Sequence, residues 1–161
     1  MSKLSNVVIK DKNTVYIAKD AILGKNVIIY PNNVIDKGCQ IADNVTLFSG
    51  NIISNSSIGK GCKLQSSIIE NSTLEDCCLI APFCNIYKSS LHQNIIIQSF
   101  TTIKNSSVAS NTKIGKFVTI NNTIIKEPTY IGNRVTIVAD KKEKVIIEKQ
   151  NIIKENSIIK K

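Results

Sequence analysis

At 161 residues the chain suits one domain, and with 20% charged and 42% hydrophobic residues it has a folded rather than a disordered composition. Aromatics make up 5% and Trp is absent, which excludes a core built on aromatic bulk and favours stacked aliphatics. The net charge of +9 gathers late, at Lys141, Lys142, Lys144, Lys149, Lys154, Lys160 and Lys161; without interleaved aromatics or a nucleic-acid motif it reads as a solvated surface, so no nucleic-acid partner is expected.

Residues 1–12 form an N-terminal lead-in. MSKLSNVVIKDKN lacks the apolar core of a signal peptide. No stretch approaches the ~20 apolar residues of a membrane span. A cytoplasmic protein with no membrane partner is expected.

From 13 to 137 the chain repeats. Ile17, Leu23, Ile29, Ile35, Ile41, Leu47 and Ile53 stand six residues apart. The series continues through Ile58, Leu64, Ile69, Leu74, Ile80, Ile86, Leu91, Ile97, Ile103, Val108, Ile114, Ile120, Ile125, Ile131 and Ile137. The short steps Ile86→Leu91, Ile103→Val108 and Ile120→Ile125 are five residues long and recur every 17. Three steps therefore make one turn with one tighter corner, which predicts a parallel β-helix of triangular coils. About eight coils are expected, without significant helix, in a single all-β domain over 1–161. A lysine-rich loop at 138–146 interrupts the six-step, and a last partial coil over 147–161 resumes it at Ile147, Ile153 and Ile159.

Strand alternation turns the residue two before each stop inward as well. Small residues fill these places, among them Ala21, Val27, Cys39, Val45, Cys62, Cys78, Cys84, Thr101, Thr112, Val118 and Val135. Four of the five cysteines are thereby core residues, and Cys77 should face a corner or solvent as the most reactive thiol. Asn33, Asn51 and Asn151 break the pattern, by laddering with neighbours or by a shifted corner. Residues one before each stop face outward. Tyr16, Val34, Ile52 and Ile68 then stack over four successive coils as an apolar strip. Such a strip marks an interface, and a homotrimer is expected. The only histidine, His92, should point into solvent. The cysteines follow no ligand spacing, and no metal is expected.

NTVYIAKDAILGKNVIIYPNNVI and the corner spacing resemble the acetyltransferase half of the bifunctional bacterial enzyme that makes UDP-N-acetylglucosamine. The resemblance covers roughly residues 13–159 and implies a left-handed β-helix and parallel-axis trimers. It also implies acetylation of glucosamine-1-phosphate by acetyl-CoA. IAPFCNIYK at 80–88 is similar to I-G-P-F-A-x-L-R-P, with the family's sugar-phosphate Arg at Tyr87. IQSFTTIKN at 97–105 is similar to I-G-N-F-V-E-x-K-K and keeps the substrate Lys as Lys104. TKIGKFVTIN at 112–121 is similar to S-K-x-x-H-L-x-Y, placing the catalytic His at Lys116 and the Tyr at Thr119. The substrate Asn of V-N-I-G-x-G-T falls on Tyr130, and the Asn of the N-Y-D-G loop on Ala139. The uridyltransferase half, the further coils and the C-terminal arm of the family are not matched.

The amine of glucosamine-1-phosphate must lose a proton to attack a thioester, and a neutral imidazole takes it near pH 7. Only strong desolvation turns a lysine into that base. The expectation is a relative without this activity, serving as a binding or assembly module, with Lys104 and Lys116 as the candidate catalytic residues. A sugar-phosphate or nucleotide-sugar ligand and a separate uridyltransferase chain are the partners it would take. One alternative is an acyl-CoA-dependent acyltransferase on another amino sugar or sugar nucleotide, with acetyl-CoA as cofactor. A structural β-solenoid is the other.

Overall fold

A computed structural model describes residues 6–140, 143–149 and 152–161. Two- and three-residue strands alternate with turns, and no helix occurs among the described residues. Every strand pairs in parallel with the strand one coil away. Three sheets of nine, nine and eight strands result, so the chain winds through eight full coils and two sides of a ninth. One coil shows the plan. Ile28–Ile29 lies on a first face, Val34–Ile35 on a second and Gln40–Ile41 on a third. The chain is a three-sided parallel β-solenoid.

The aliphatic series lines the interior. All its described members are buried except Ile17, Leu23 and Ile159, which lie in the terminal coils where stacking is one-sided. Ile17, Ile35, Ile53, Ile69, Ile86, Ile103, Ile120, Ile137 and Ile159 stack in register along the second face. Each coil adds about 4.8 Å of height and so removes another set of aliphatics from water, at roughly 25 cal/mol per Å² of apolar area.

Coil length varies with the corners. Ile35 and Ile53 are 18 residues apart, Ile53 and Ile69 are 16, the partners from Ile69 to Ile137 are 17, and Ile137 and Ile159 are 22. The short coil has a second tight corner at Ser66, whose φ is +44°. Left-handed backbone recurs at the corners, mostly at Asn or Gly, which tolerate it.

The boundaries differ from the sequence expectation at both ends. Val8–Ile9 already pairs with Ile28–Ile29, so part of 1–12 is coil rather than lead-in. The six-step misses it because eight residues separate Ile9 from Ile17; in that longer corner Asp11 accepts hydrogen bonds from the Asn13 N–H and the Thr14 hydroxyl. The loop of 138–146 is also narrower, since Thr136–Val138 and Val145–Ile147 are both strands of the solenoid.

Polar groups inside are paired. Asn51 donates to Asn33 Oδ1 at 2.9 Å, and both side chains also bond backbone carbonyls. The two asparagines thus ladder between coils, while Asn151 lies outside the described residues. A second ladder runs along the corner between the second and third faces. Ser56, Ser72, Ser89 and Ser106 are buried, and each accepts a hydrogen bond from the backbone N–H of the next coil at 3.1–3.2 Å. Each hydroxyl donates to a carbonyl of its own coil at 2.6–2.8 Å. No buried side-chain nitrogen or oxygen among the described residues lacks a partner.

Candidate functional site

The second face holds part of the set singled out in the sequence. Lys104 ends the strand Thr102–Lys104, with Tyr87 on one side of it and Asn121 on the other. Lys104 is exposed and Tyr87 half-buried. The Lys88 ammonium sits 5.2 Å from the centroid of the Tyr87 ring, within cation–π range. A cation therefore borders position 87 although that residue itself is neutral. Thr119 lies on the same face, in register with Thr102.

Lys116 stands apart, exposed on the corner between the first and second faces. Its N–H donates to Asn133 Oδ1 at 2.9 Å, which fixes the backbone and leaves the ammonium in water. Five residues separate it from Asn121, the register partner of Lys104, a chain path of about 16 Å. The two lysines therefore stand at opposite ends of the second face, Lys104 where the chain leaves it and Lys116 where the chain enters it. Tyr130 faces outward on the first face, in register with Lys113, and Ala139 is buried beyond the strand Thr136–Val138.

The thiols divide as the alternation predicts. Cys39, Cys62, Cys78 and Cys84 are buried and Cys77 is exposed, all unpaired. Burial pushes the Cys39 and Cys84 thiols up from their ordinary range. Cys62 is raised first by its hydrogen bond with Cys78 and then by burial. A raised thiol holds little thiolate, so these three are poor nucleophiles and poor ligands. Cys77 occupies a corner at φ +61°. No group of three or more His, Cys, Asp or Glu side chains suited to a metal ion occurs among the described residues.

His92 faces outward as expected, yet it is not merely solvated. Its Nδ1 lies 3.0 Å from Glu75 Oε1, with the two side chains 42% and 38% exposed. The residues follow Leu91 and Leu74, which are register partners on the third face, so the coil sets them side by side. This pair escaped the sequence reading. The signal was present: Glu75 and His92 are 17 residues apart, one coil length. The pair forms a ridge on the third face. Toward the N-terminal coils a depression of about 440 Å³ opens over Gly24, Ala42 and Gly59. Toward the C-terminal coils one of about 630 Å³ opens over Ala109.

No family model matches the chain. Curated relatives do. It is 35% identical to the bifunctional protein GlmU of Clostridium beijerinckii over 82 residues, covering 51% of this chain and 18% of that protein. Against the bifunctional protein GlmU of Shouchella clausii the identity is 36% over 84 residues, 52% of this chain and 18% of the relative. This chain is homologous to GlmU over about half its own length. It spans less than a fifth of the length of these GlmU relatives. Among solved structures, the UDP-N-acetylglucosamine O-acyltransferase LpxA of Moraxella catarrhalis aligns with a TM-score of 0.46 at 16% identity, over 83% of this chain and 65% of that one. The Arabidopsis UDP-N-acetylglucosamine acyltransferase aligns with a TM-score of 0.35 at 12% identity, over 83% of this chain and 60% of that one.

Proposed function

We propose that this chain is a hexapeptide-repeat relative of the GlmU acetyltransferase that does not acetylate glucosamine-1-phosphate and serves as a binding or assembly module for a ligand related to sugar nucleotides. One observation carries the reading. The position of the family's catalytic base holds Lys116, whose side chain is exposed. An ammonium donates hydrogen bonds and has no lone pair to accept a proton. Without a base the amine of the acceptor stays protonated and cannot attack a thioester, which costs ~10²–10⁴ in rate. The residues also fit acetyl-CoA poorly. Ala139 offers no side-chain hydrogen bond where the family has Asn, and it is buried. Lys104 beside Tyr87 and Lys88 can still hold an anionic group.

Assembly follows from the second face. Tyr16, Val34, Ile52 and Ile68 stack in register, with Tyr16, Ile52 and Ile68 exposed. A contiguous apolar strip of this kind is covered in an oligomer, and a homotrimer in the cytoplasm, with a separate uridyltransferase chain as partner, is the form we propose. The second reading, acyl transfer to another acceptor, is favoured by the His92–Glu75 pair alone.

A thiol-release assay with acetyl-CoA and glucosamine-1-phosphate tests the main reading. No release is expected. Turnover above ~1 s⁻¹ that disappears in Lys104→Ala and Lys116→Ala would establish a repurposed site instead. Light scattering tests the assembly, and a stable monomer of the 17.7 kDa chain at micromolar concentration would exclude the trimer.

A further inference from the structure

The column that carries His92 and Glu75 is otherwise built from small or differently paired residues. Reading up the third face it runs Gly24, Ala42, Gly59, Glu75, His92, Ala109, Lys126. Four of these seven are Gly or Ala, so the fold itself does not require a long polar side chain here. At Gly59 it forbids one, since an added Cβ would lie 2.5 Å from the Glu75 carbonyl carbon. A half-exposed polar pair of this kind adds little stability, ~0–1 kcal/mol. The His92–Glu75 pair is therefore dispensable to the solenoid, and its geometry says what else it does. The carboxylate only accepts hydrogen bonds, so Nδ1 of the ring carries the proton toward Glu75. Nε2 of the neutral imidazole is then an acceptor held in one orientation.

The depression beside it is one coil wide. Ala109 separates His92 from Lys126, so the ring and the lysine stand two coils apart, about 10 Å, with a low floor between them. Ser107 and Ser110 add hydroxyls to this slot, and Ile124 and Pro128 add apolar surface. The Ser110 hydroxyl accepts from the Gln93 N–H at 3.2 Å, which leaves its own hydrogen free to donate. The lining offers an anion little. Lys126 and Glu127 both line the slot, and the Lys126 ammonium is already given to Glu148 at 2.7 Å. An anionic ligand meets no uncommitted lysine here and faces the Glu127 carboxylate. A ligand with many hydroxyls and an apolar face meets both donors and acceptors, and a surface on which to rest.

We propose that the slot over Ala109 binds a neutral polyhydroxylated ring of the monosaccharide type, its apolar face on Ala109, Ile124 and Pro128 and one hydroxyl donated to Nε2 of His92. The site depends on neither Lys104 nor Lys116, and it stands or falls separately from the function proposed above.

His92 is the only histidine, so its ring gives one resolved imidazole signal in a proton–carbon NMR spectrum. The protein is titrated at fixed pH with glucose, N-acetylglucosamine, glucose 1-phosphate and glycerol. A saturable shift of the His92 signal is expected with the neutral sugars, and none with glycerol, which has no ring face. Ala109→Leu fills the slot, keeps both members of the pair, and should abolish the shift. Ser110→Ala, a smaller change, should weaken binding several-fold in case the larger residue disturbs the coil. No response to any sugar up to about 50 mM, enough to reveal a ~10 mM dissociation constant, would overturn the proposal. So would a shift that survives in both variants, or tighter binding of glucose 1-phosphate than of the neutral sugars.

Discussion

The corner entering the second face and the corner leaving it share a left-handed backbone and carry opposite chemistry. The leaving corner has Asn55, Asn71, Asn105 and Asn122 at φ +43° to +50°, residues that adopt this conformation at small cost. Beneath them runs the buried serine ladder, so the corner is held by hydrogen bonds. The entering corner has Phe83, Phe100 and Phe117 at φ +58° to +65°. A left-handed conformation costs such residues roughly 1–2 kcal/mol each. What offsets it is the stack: the rings lie 5.1 Å apart at interplanar angles of 22° and 4°, and such aromatic pairs are worth ~0.5–1.5 kcal/mol. The leaving corner obeys local preference except at Lys88, φ +46°, while the entering corner keeps Asn or Gly at Asn32, Gly50 and Asn156 and overrides that preference at its three phenylalanines through contacts between coils.

Both corners hang on one interior, so the largest effect should come from there. Ile97 is 1% exposed and stacks between Ile80 and Ile114. Ile97→Asp puts a charge without a partner in an aliphatic column and should cost at least ~3–5 kcal/mol. Urea melts should show the midpoint collapse or no folded baseline. A melt like that of the unaltered protein would mean that position 97 does not face inward, and with it the whole phase of the repeat would fail.

The serine ladder is the next test. Ser89 accepts from the Ser106 N–H and donates to the Tyr87 carbonyl, at 3.2 and 2.8 Å. Ser89→Ala leaves that buried N–H without its side-chain acceptor and should cost about 1–3 kcal/mol. Amide exchange at Ser106 should quicken more than at residues on the first face. Uniform exchange across the three faces would assign the ladder no local role.

The interior was legible because burial imposes a fixed period on residue type. Ile, Leu and Val at every stop can mean only one inward column per face. Asn33 and Asn51 were legible as exceptions, and their mutual hydrogen bond explains them. The serines of I-S-N-S-S-I and I-K-N-S-S-V were not, because a corner serine and a buried one look alike until the coil stacks them. The phenylalanines were harder still, since Phe at positive φ contradicts local propensity and only ring stacking across coils accounts for it. The Glu75–His92 pair demanded three inputs at once: the coil length, the outward phase and the face. As for Lys104 and Lys116, residue identity placed them on a family pattern, but their separation along one chain appears only in three dimensions.

Smaller substitutions sharpen the contrast between the corners. Phe100→Ala removes the middle ring and both stacking contacts but keeps a Cβ at φ +61°. Phe100→Gly removes the same contacts and relieves the backbone, so it should be the more stable of the two by ~1 kcal/mol. Thermal melts of the pair decide this, and an Ala variant as stable as the Gly variant would deny the strain. At the other corner Asn105→Gly, at φ +49°, should change stability by under ~1 kcal/mol.

The smallest effect concerns the Lys126–Glu148 pair at the edge of the third face, in contact at 2.7 Å with both side chains exposed. The hydrogen bond from Lys126, and then its charge, hold the Glu148 carboxyl below its ordinary range. The sign follows by linkage. A carboxyl whose folded pKa is depressed binds its proton more readily in the unfolded chain, so whatever the pair contributes is present above the ordinary carboxylate pKa and is lost as pH falls through the lowered folded value. Exposure and salt screening keep the contribution slight. The difference in melting temperature between the unaltered protein and Glu148→Gln should therefore be small at pH 7. It should disappear in acid and shrink at neutral pH when salt is raised to ~1 M. A carbon-detected titration of the Glu148 carboxyl reads the same linkage directly, and its midpoint should rise toward the ordinary range in Lys126→Met. An unmoved midpoint would mean that the contact does not persist in solution, and the charge balance assigned to the neighbouring slot would have to be redrawn with Lys126 free.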